Sequence, residues 1–236
     1  MVEYQPTGST KSAYASRHCG ILESKTAGEE ISKMAINPQG HKMTVEEYFR
    51  LDSDPSAKYE YIEGYAVVMS GGSVGHARIA KNIVRELDNR LQAGPCQAHT
   101  SDVKLLIPAI TSYFLPDVTV SCDADDNEPD TQAISSPRLI IEVLSPSTEA
   151  IDRGYKFQWY QTLPSLQEYI LVSSRYQFVE IFRRQPDETW SYQAYRPGQL
   201  IMLESINIGL TFAEIYDRVP VPAKPELLKE LREKYG

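Results

Sequence analysis

Apolar residues recur every three or four positions in some stretches of this chain and every second position in others. The switches between these periods mark its elements. From Ser73 to about Gln92, Ile79, Ile83, Leu87 and Leu91 return every four residues and Val84 widens the stripe. This predicts a long amphipathic helix that Ser73 caps. Thr44 with Glu47 three residues on has the form of a capping box and predicts a short helix to about Asp52. Lys58–Met69 alternates around Glu63-Gly64, the pattern of a β-hairpin. Strands are predicted at Gln97–Ile107, Tyr113–Cys122 and Leu139–Ser145. The last is a near-continuous apolar run of the kind covered on both faces. A helix over Thr148–Leu163 follows, then a hairpin of Glu168–Ser173 and Phe178–Arg183 that turns near Ser174. Further β structure is expected at Trp190–Tyr195 and Leu200–Leu203, and a short helix near Phe212–Arg218. The order implies an α/β or α+β domain with a central mixed sheet flanked by helices. It spans residues 43–220. Residues 1–42, rich in Ser, Thr, Gly and Glu, read as a weakly ordered extension, and 221–236 as a charged, helical one.

The strand at Leu139–Ser145 carries a carboxylate, Glu142, in its middle. A buried carboxylate is costly unless it is paired, protonated or bound to a metal. Asp117 stands in the preceding strand, after Pro116, where a turn or bulge aspartate is the ordinary alternative. Side chains alternate along a strand. Leu115, Asp117 and Thr119 therefore share one face, and Ile140, Glu142 and Leu144 share another. If the strands pair so that these faces coincide, the two carboxylates converge. Lys156, four residues after Asp152 and four before Tyr160, lies on one face of the next helix. It is either an ordinary surface partner of Asp152 or a cation directed at the carboxylates.

Composition narrows the classes. The 236 residues are 42% hydrophobic and 24% charged, ordinary for a soluble globular protein. No run of 18 apolar residues is present, so no membrane span is expected. Without an apolar signal core, a cytoplasmic location is expected. The three cysteines, Cys19, Cys96 and Cys122, form no C-x-x-C pair. This argues against a zinc knuckle and against a disulfide framework. Net charge is −8, but residues 43–220 alone carry a balance of −10, which disfavours non-specific attraction to a polyanion. The acid-rich link Asp123–Asp130 reads as a solvated loop. It lacks the glycine and terminal glutamate of an EF-hand. No Ser–His–Asp order and no Gly-Lys-Ser/Thr phosphate loop occurs, so serine hydrolases and P-loop NTPases are excluded.

Leu-Pro-Asp-Val-Thr-Val (115–120), Leu-Ile-Ile-Glu-Val-Leu-Ser-Pro-Ser-Thr (139–148), Asp152 and Lys156 together resemble the "putative restriction endonuclease" domain family of the PD-(D/E)XK nuclease superfamily. Tyr-Glu-Tyr-Ile-Glu-Gly (59–64), the helix starting His76-Ala-Arg-Ile-Ala, and Gln167–Val172 are similar to its other segments. The likeness runs from about Met43 to Val219. It implies a restriction-endonuclease-like core with Asp117 and Glu142 as the acidic pair. Position 144, where the motif's lysine belongs, is Leu144, and the resemblance implies Lys156 as the relocated lysine. Glu60 takes the place of an N-terminal acidic residue of the metal shell.

The resemblance implies an Mg²⁺-dependent endonuclease acting on DNA as a homodimer, with Mn²⁺ as a substitute ion. Mg²⁺ prefers one or two carboxylates plus waters, a role for Asp117 and Glu142 with the backbone carbonyl of Val143 as third donor. His76, in the first turn of the long helix, is a phosphate contact or a locally bonded helix-end histidine. Arg78, Lys81 and Arg85 form a stripe that touches the nucleic-acid backbone or is simply solvated. Lys104 is the alternative lysine. The competing expectation is an inactive module of the same fold that dimerises or binds a partner.

Overall fold

The computed structural model describes residues 42–54, 56–69, 71–225 and 234. The capping box forms: Thr44 Oγ accepts from Glu47 N, and Glu47 Oε2 accepts from Thr44 N at 2.7 Å. It opens helix α1 (Val45–Asp52), whose buried Tyr48 donates to the Tyr59 carbonyl. The hairpin is β1 (Tyr59–Ile62) and β2 (Tyr65–Val68). Glu63 and Gly64 both hold positive φ in its turn, a conformation in which the glycine carries no Cβ penalty. Ser73 caps helix α2 (Val74–Leu91), which buries Ile79, Ile83 and Leu87 as its stripe requires.

Two predicted strands are broken, and the breaks define the architecture. Gln97–Ile107 is two strands, β3 (Gln97–Thr100) and β4 (Lys104–Ile107), separated by a turn in which Val103 N donates to Thr100 O. Tyr113–Cys122 is likewise β5 (Ser112–Phe114) and β6 (Val118–Ser121). Pro116 lies at this second break and has no N–H to give a ladder. The halves belong to different sheets. With β7 (Ala133–Ile134), β8 (Pro137–Leu144), β9 (Glu168–Ser173), β10 (Val179–Arg184) and β11 (Trp190–Tyr195), the orders are β2-β1-β5-β4-β7 and β11-β10-β9-β8-β6-β3. The six-stranded sheet is the mixed central sheet: β8 runs parallel to β9, and its other pairs are antiparallel.

The period of two sorts β8 between two cores. Leu139, Ile141 and Val143 face α2, the hairpin β12 (Ile201–Leu203) and β13 (Ile208–Leu210), and the short helix α4 (Phe212–Ile215). Ile140 and Leu144 face the five-stranded sheet and the helix that follows β8. That helix, α3, runs Glu149–Ile151, then a π turn Asp152–Lys156, then Phe157–Tyr160. The described residues include no helix long and apolar enough to cross a membrane.

Two further expectations are corrected. The acid-rich link is not wholly solvated. Asp126 is buried and accepts from Ser121 Oγ at 2.7 Å and from Ser136 N at 2.9 Å. Cys96 and Cys122 form a disulfide, because the β3–β6 register that pairs Gln97 with Ser121 also sets these residues side by side. Cys19 and the extension 1–41 lie outside the described residues, as does most of 226–236. Of the C-terminal extension, Ala223 bridges to Gln177.

The disulfide closes a 26-residue excursion that contains β4, β5 and Asp117. Cys122→Ser should therefore lower stability by roughly 2–4 kcal/mol. Urea titration of wild type and variant, with and without reductant, checks this. The difference should vanish once wild type is reduced.

Candidate active site

The β6–β8 register pairs Val118 with Ile141 and Thr119 with Ile140. One residue further, Asp117 comes opposite Glu142, the coincidence of faces that the strand parity allowed. Backbone donors hold the pair together. Asp117 Oδ2 accepts from Val143 N at 2.8 Å, and Asp117 N lies 3.4 Å from Glu142 Oε2.

Lys156 comes to the same place from α3. Its Nζ is 3.0 Å from Glu60 Oε1, 3.1 Å from Glu142 Oε1 and 3.6 Å from Asp152 Oδ1. All four side chains are buried, so the Asp152–Lys156 pair is not the ordinary surface pair that spacing alone allows. Tyr160 adds a hydrogen bond, its hydroxyl donating to Glu142 Oε1 at 2.9 Å. Glu60 Oε1 also accepts from Leu115 N. The spacing of Asp152, Lys156 and Tyr160 placed them on one helix face. Their common target was not legible, because it depends on which sheet face α3 covers.

Three carboxylates around one ammonium leave an excess of negative charge among buried side chains. Burial pushes the Glu142 carboxyl up to about 8; Lys156 opposes the rise, and the charges of Asp152, Asp117 and Glu60 reinforce it. Burial also raises Asp152, against Lys156 and a hydrogen bond from Thr148. For Lys156, burial favours the neutral amine, but Glu142, Glu60, Tyr160 and Asp152 outweigh it and hold the pKa well above the ordinary lysine range.

His76 Nε2 stands 3.3 Å from Asp117 Oδ2. The hydrogen bond to Asp117 raises the imidazole's pKa; burial opposes it, and the Asp117 charge and a backbone bond at Val143 add to it. Gly72 makes room for the ring, since a Cβ there would come within 2.6 Å of Nδ1. The histidine predicted as a phosphate contact or a locally bonded helix-end residue thus braces the aspartate.

Glu60, His76, Asp117, Glu142, Val143, Asp152 and Lys156 all line one cleft of about 1260 Å³. Lys81 and Arg85 line its α2 wall. Arg78 is not part of the lining, and Arg85 is engaged by Glu86 and Asp217. Lys104 is bound to Asp52 at 2.6 Å and takes no part in the site.

Among the described residues, no group of three or more His, Cys, Asp or Glu side chains stands ready to hold a metal ion. The donor set fits a hard ion that keeps most of its waters. Asp117 spends Oδ2 on Val143 N and His76, and Glu142 spends Oε1 on Lys156 and Tyr160. Asp117 Oδ1 remains, with Glu142 Oε2, which takes only the long contact from Asp117 N. This is one carboxylate oxygen from each of two adjacent segments, which suits an ion coordinated by few protein ligands.

Fold and site together define a restriction-endonuclease-like α+β domain. Residues 45–214 match the Uma2 family, described as "Putative restriction endonuclease", and the chain belongs to that family. It is 40% identical over 172 residues to the uncharacterized protein slr1290 of Synechocystis sp., covering 73% of this chain and 89% of that one. A second Synechocystis protein, sll1609, also uncharacterized, is 34% identical over 149 residues, 63% of this chain and 84% of its own. Among solved structures, a protein of Anabaena variabilis described as a putative nuclease belonging to DUF820 superposes with a TM-score of 0.62 over 75% of this chain and 99% of its own. At 16% identity, that likeness shows the fold.

The charge arrangement predicts an asymmetry. Lys156→Ala leaves three buried carboxylates without their cation and should cost about 3–5 kcal/mol, whereas Glu142→Gln keeps the shape and removes surplus charge, changing stability by less than about 1 kcal/mol. Because the Glu142 pKa is raised, the folded chain keeps a proton that the unfolded chain has lost between its ordinary 4.5 and about 8. Wild-type stability should therefore fall as pH rises through that window and level off above it. Glu142→Gln should show a shallower fall in chemical denaturation measured across the same range.

Proposed function

We propose that this protein is an Mg²⁺-dependent endonuclease that hydrolyses phosphodiester bonds in DNA, with Mn²⁺ able to replace Mg²⁺. The observation that carries this reading is the convergence of Asp117, Glu142 and Lys156 in one cleft, although they come from a sheet crossing, a strand and a helix. Asp117 Oδ1 and Glu142 Oε2 would hold the ion, with the Val143 carbonyl as a further donor. An ion held there would supply a water of lowered pKa and offset charge on the scissile phosphate.

The chain's own residues do the rest. The Val143 N–H and the His76 ring fix Asp117, so one carboxylate oxygen is presented to the cleft without a rotamer search. Glu60 and Asp152 hold Lys156 against Glu142, where its ammonium orients the attacking water and stabilises charge on the phosphorane-like transition state. Glu60 therefore serves the lysine, through an oxygen already committed to Leu115 N and Nζ. Lys81 provides a backbone phosphate contact on an otherwise acidic body, while Arg85 beside it would have to leave Glu86 and Asp217 to provide another. One observation favours the inactive-module reading: Lys156 already holds Glu142 Oε1, as it would in a purely structural polar network.

Thermal melts with and without Mn²⁺, paired with plasmid nicking, separate the two. Metal at about 100 times its dissociation constant should stabilise wild type by roughly 2.7 kcal/mol. Asp117→Asn and Glu142→Gln should lose both that gain and the nicking. A wild type that neither responds to Mn²⁺ or Mg²⁺ nor nicks DNA refutes the catalytic reading.

A further inference from the structure

The six-stranded sheet ends in β11, and this edge differs from the others. The opposite edge, β3, has four residues and is stapled at its start by the Cys96–Cys122 disulfide. In the five-stranded sheet, the edge strand β2 has four residues, and Val67 and Val68 line the cleft. The other edge, β7, has two residues. By contrast, β11 has six residues, Trp-Ser-Tyr-Gln-Ala-Tyr, with no charge, no proline and no register shift against β10. Charges, prolines, bulges and shortness are the devices by which edges avoid pairing, and β11 uses none of them.

The backbone register shows what it offers. Arg184 N bonds Gln167 O and Ser173 N bonds Phe178 O, so even-numbered residues of β10 bond β9. Gln185 N bonds Thr189 O, so odd-numbered residues of β10 bond odd-numbered residues of β11. The N–H and C=O groups of Trp190, Tyr192 and Ala194 therefore point away from the sheet. Tyr192 itself is 55% exposed.

We propose that β11 pairs antiparallel with β11 of a second copy of this chain, about a two-fold axis at Tyr192, joining the two six-stranded sheets into one. In this register Tyr192 faces Tyr192 of the copy and Trp190 faces its Ala194, so all three outward-facing residues fall in hydrogen-bonded pairs. The charges that flank the strand agree. Asp187 and Glu188, the latter paired with Arg184, precede it, and Arg196, stacked over Phe178, follows it, so antiparallel pairing brings each arginine to the acidic end of the other copy. A parallel partner would set like charges together. No residue of β11 lines the cleft, and the pairing is independent of the catalytic reading.

Light scattering across micromolar concentrations should give wild type about twice the chain mass. Ala194→Pro, which removes an outward N–H and no bond to β10, should give the single-chain mass. In a Cys19→Ser background, Tyr192→Cys should form a covalent dimer on mild oxidation. Facing Cα atoms in such a pair lie about 5.5 Å apart, inside the disulfide range. Gln193→Cys faces residue 191 of the copy and should not cross-link with itself. A wild type that stays monomeric overturns the proposal. So does a dimer that Ala194→Pro leaves intact and Tyr192→Cys fails to trap, since its interface then lies elsewhere.

Discussion

A lysine ammonium buried among three carboxylates is the interaction on which this structure turns. Neither charge could be taken from water alone. Lys156 needs Glu60, Glu142 and Asp152 around it, and they need Lys156. These residues come from β1 in one sheet, β8 in the other, and the π turn of α3. One ionic knot thus fixes how the two sheets and the helix lie against one another. The apolar contacts of Ile140, Leu144, Tyr160 and Tyr169 fill the same interface, but contacts of that kind tolerate sliding, and charge-assisted bonds of defined direction do not. The knot is also unbalanced. It holds more acid than base, and a raised Glu142 pKa, which keeps that carboxyl protonated, relieves the surplus.

Much of this site was legible in the sequence because it depends on local periodicity. An alternation of two allows the faces of Asp117 and Glu142 to coincide, which the β6–β8 register then makes them do, and a spacing of four aligns Asp152, Lys156 and Tyr160. The helix stripes and capping box are equally local. What escaped is non-local. The apolar stretches 97–107 and 113–122 each look like one strand, because the residues on both sides of each break are β-formers. The break shows only when the halves find partners in different sheets. Pro116 was the signal, read as a strand-edge proline when it marks the crossing. The disulfide escaped for a related reason: Cys96 and Cys122 are neighbours across a ladder whose register no spacing rule supplies. The contact of His76 with Asp117 likewise depends on where α2 begins relative to that crossing.

The crossing has a mechanical consequence. Glu60 belongs to the five-stranded sheet and Glu142 to the six-stranded one, while Asp117 stands on the segment that passes between them. The spacing of the acidic groups is therefore a readout of shear between two plates. Phe114 of the smaller plate packs on Tyr160 of α3, which in turn packs on Tyr169 of the larger plate. A change of side-chain volume at Phe114 or Tyr169, outside the acidic cluster, would shift that spacing through close-packed contacts.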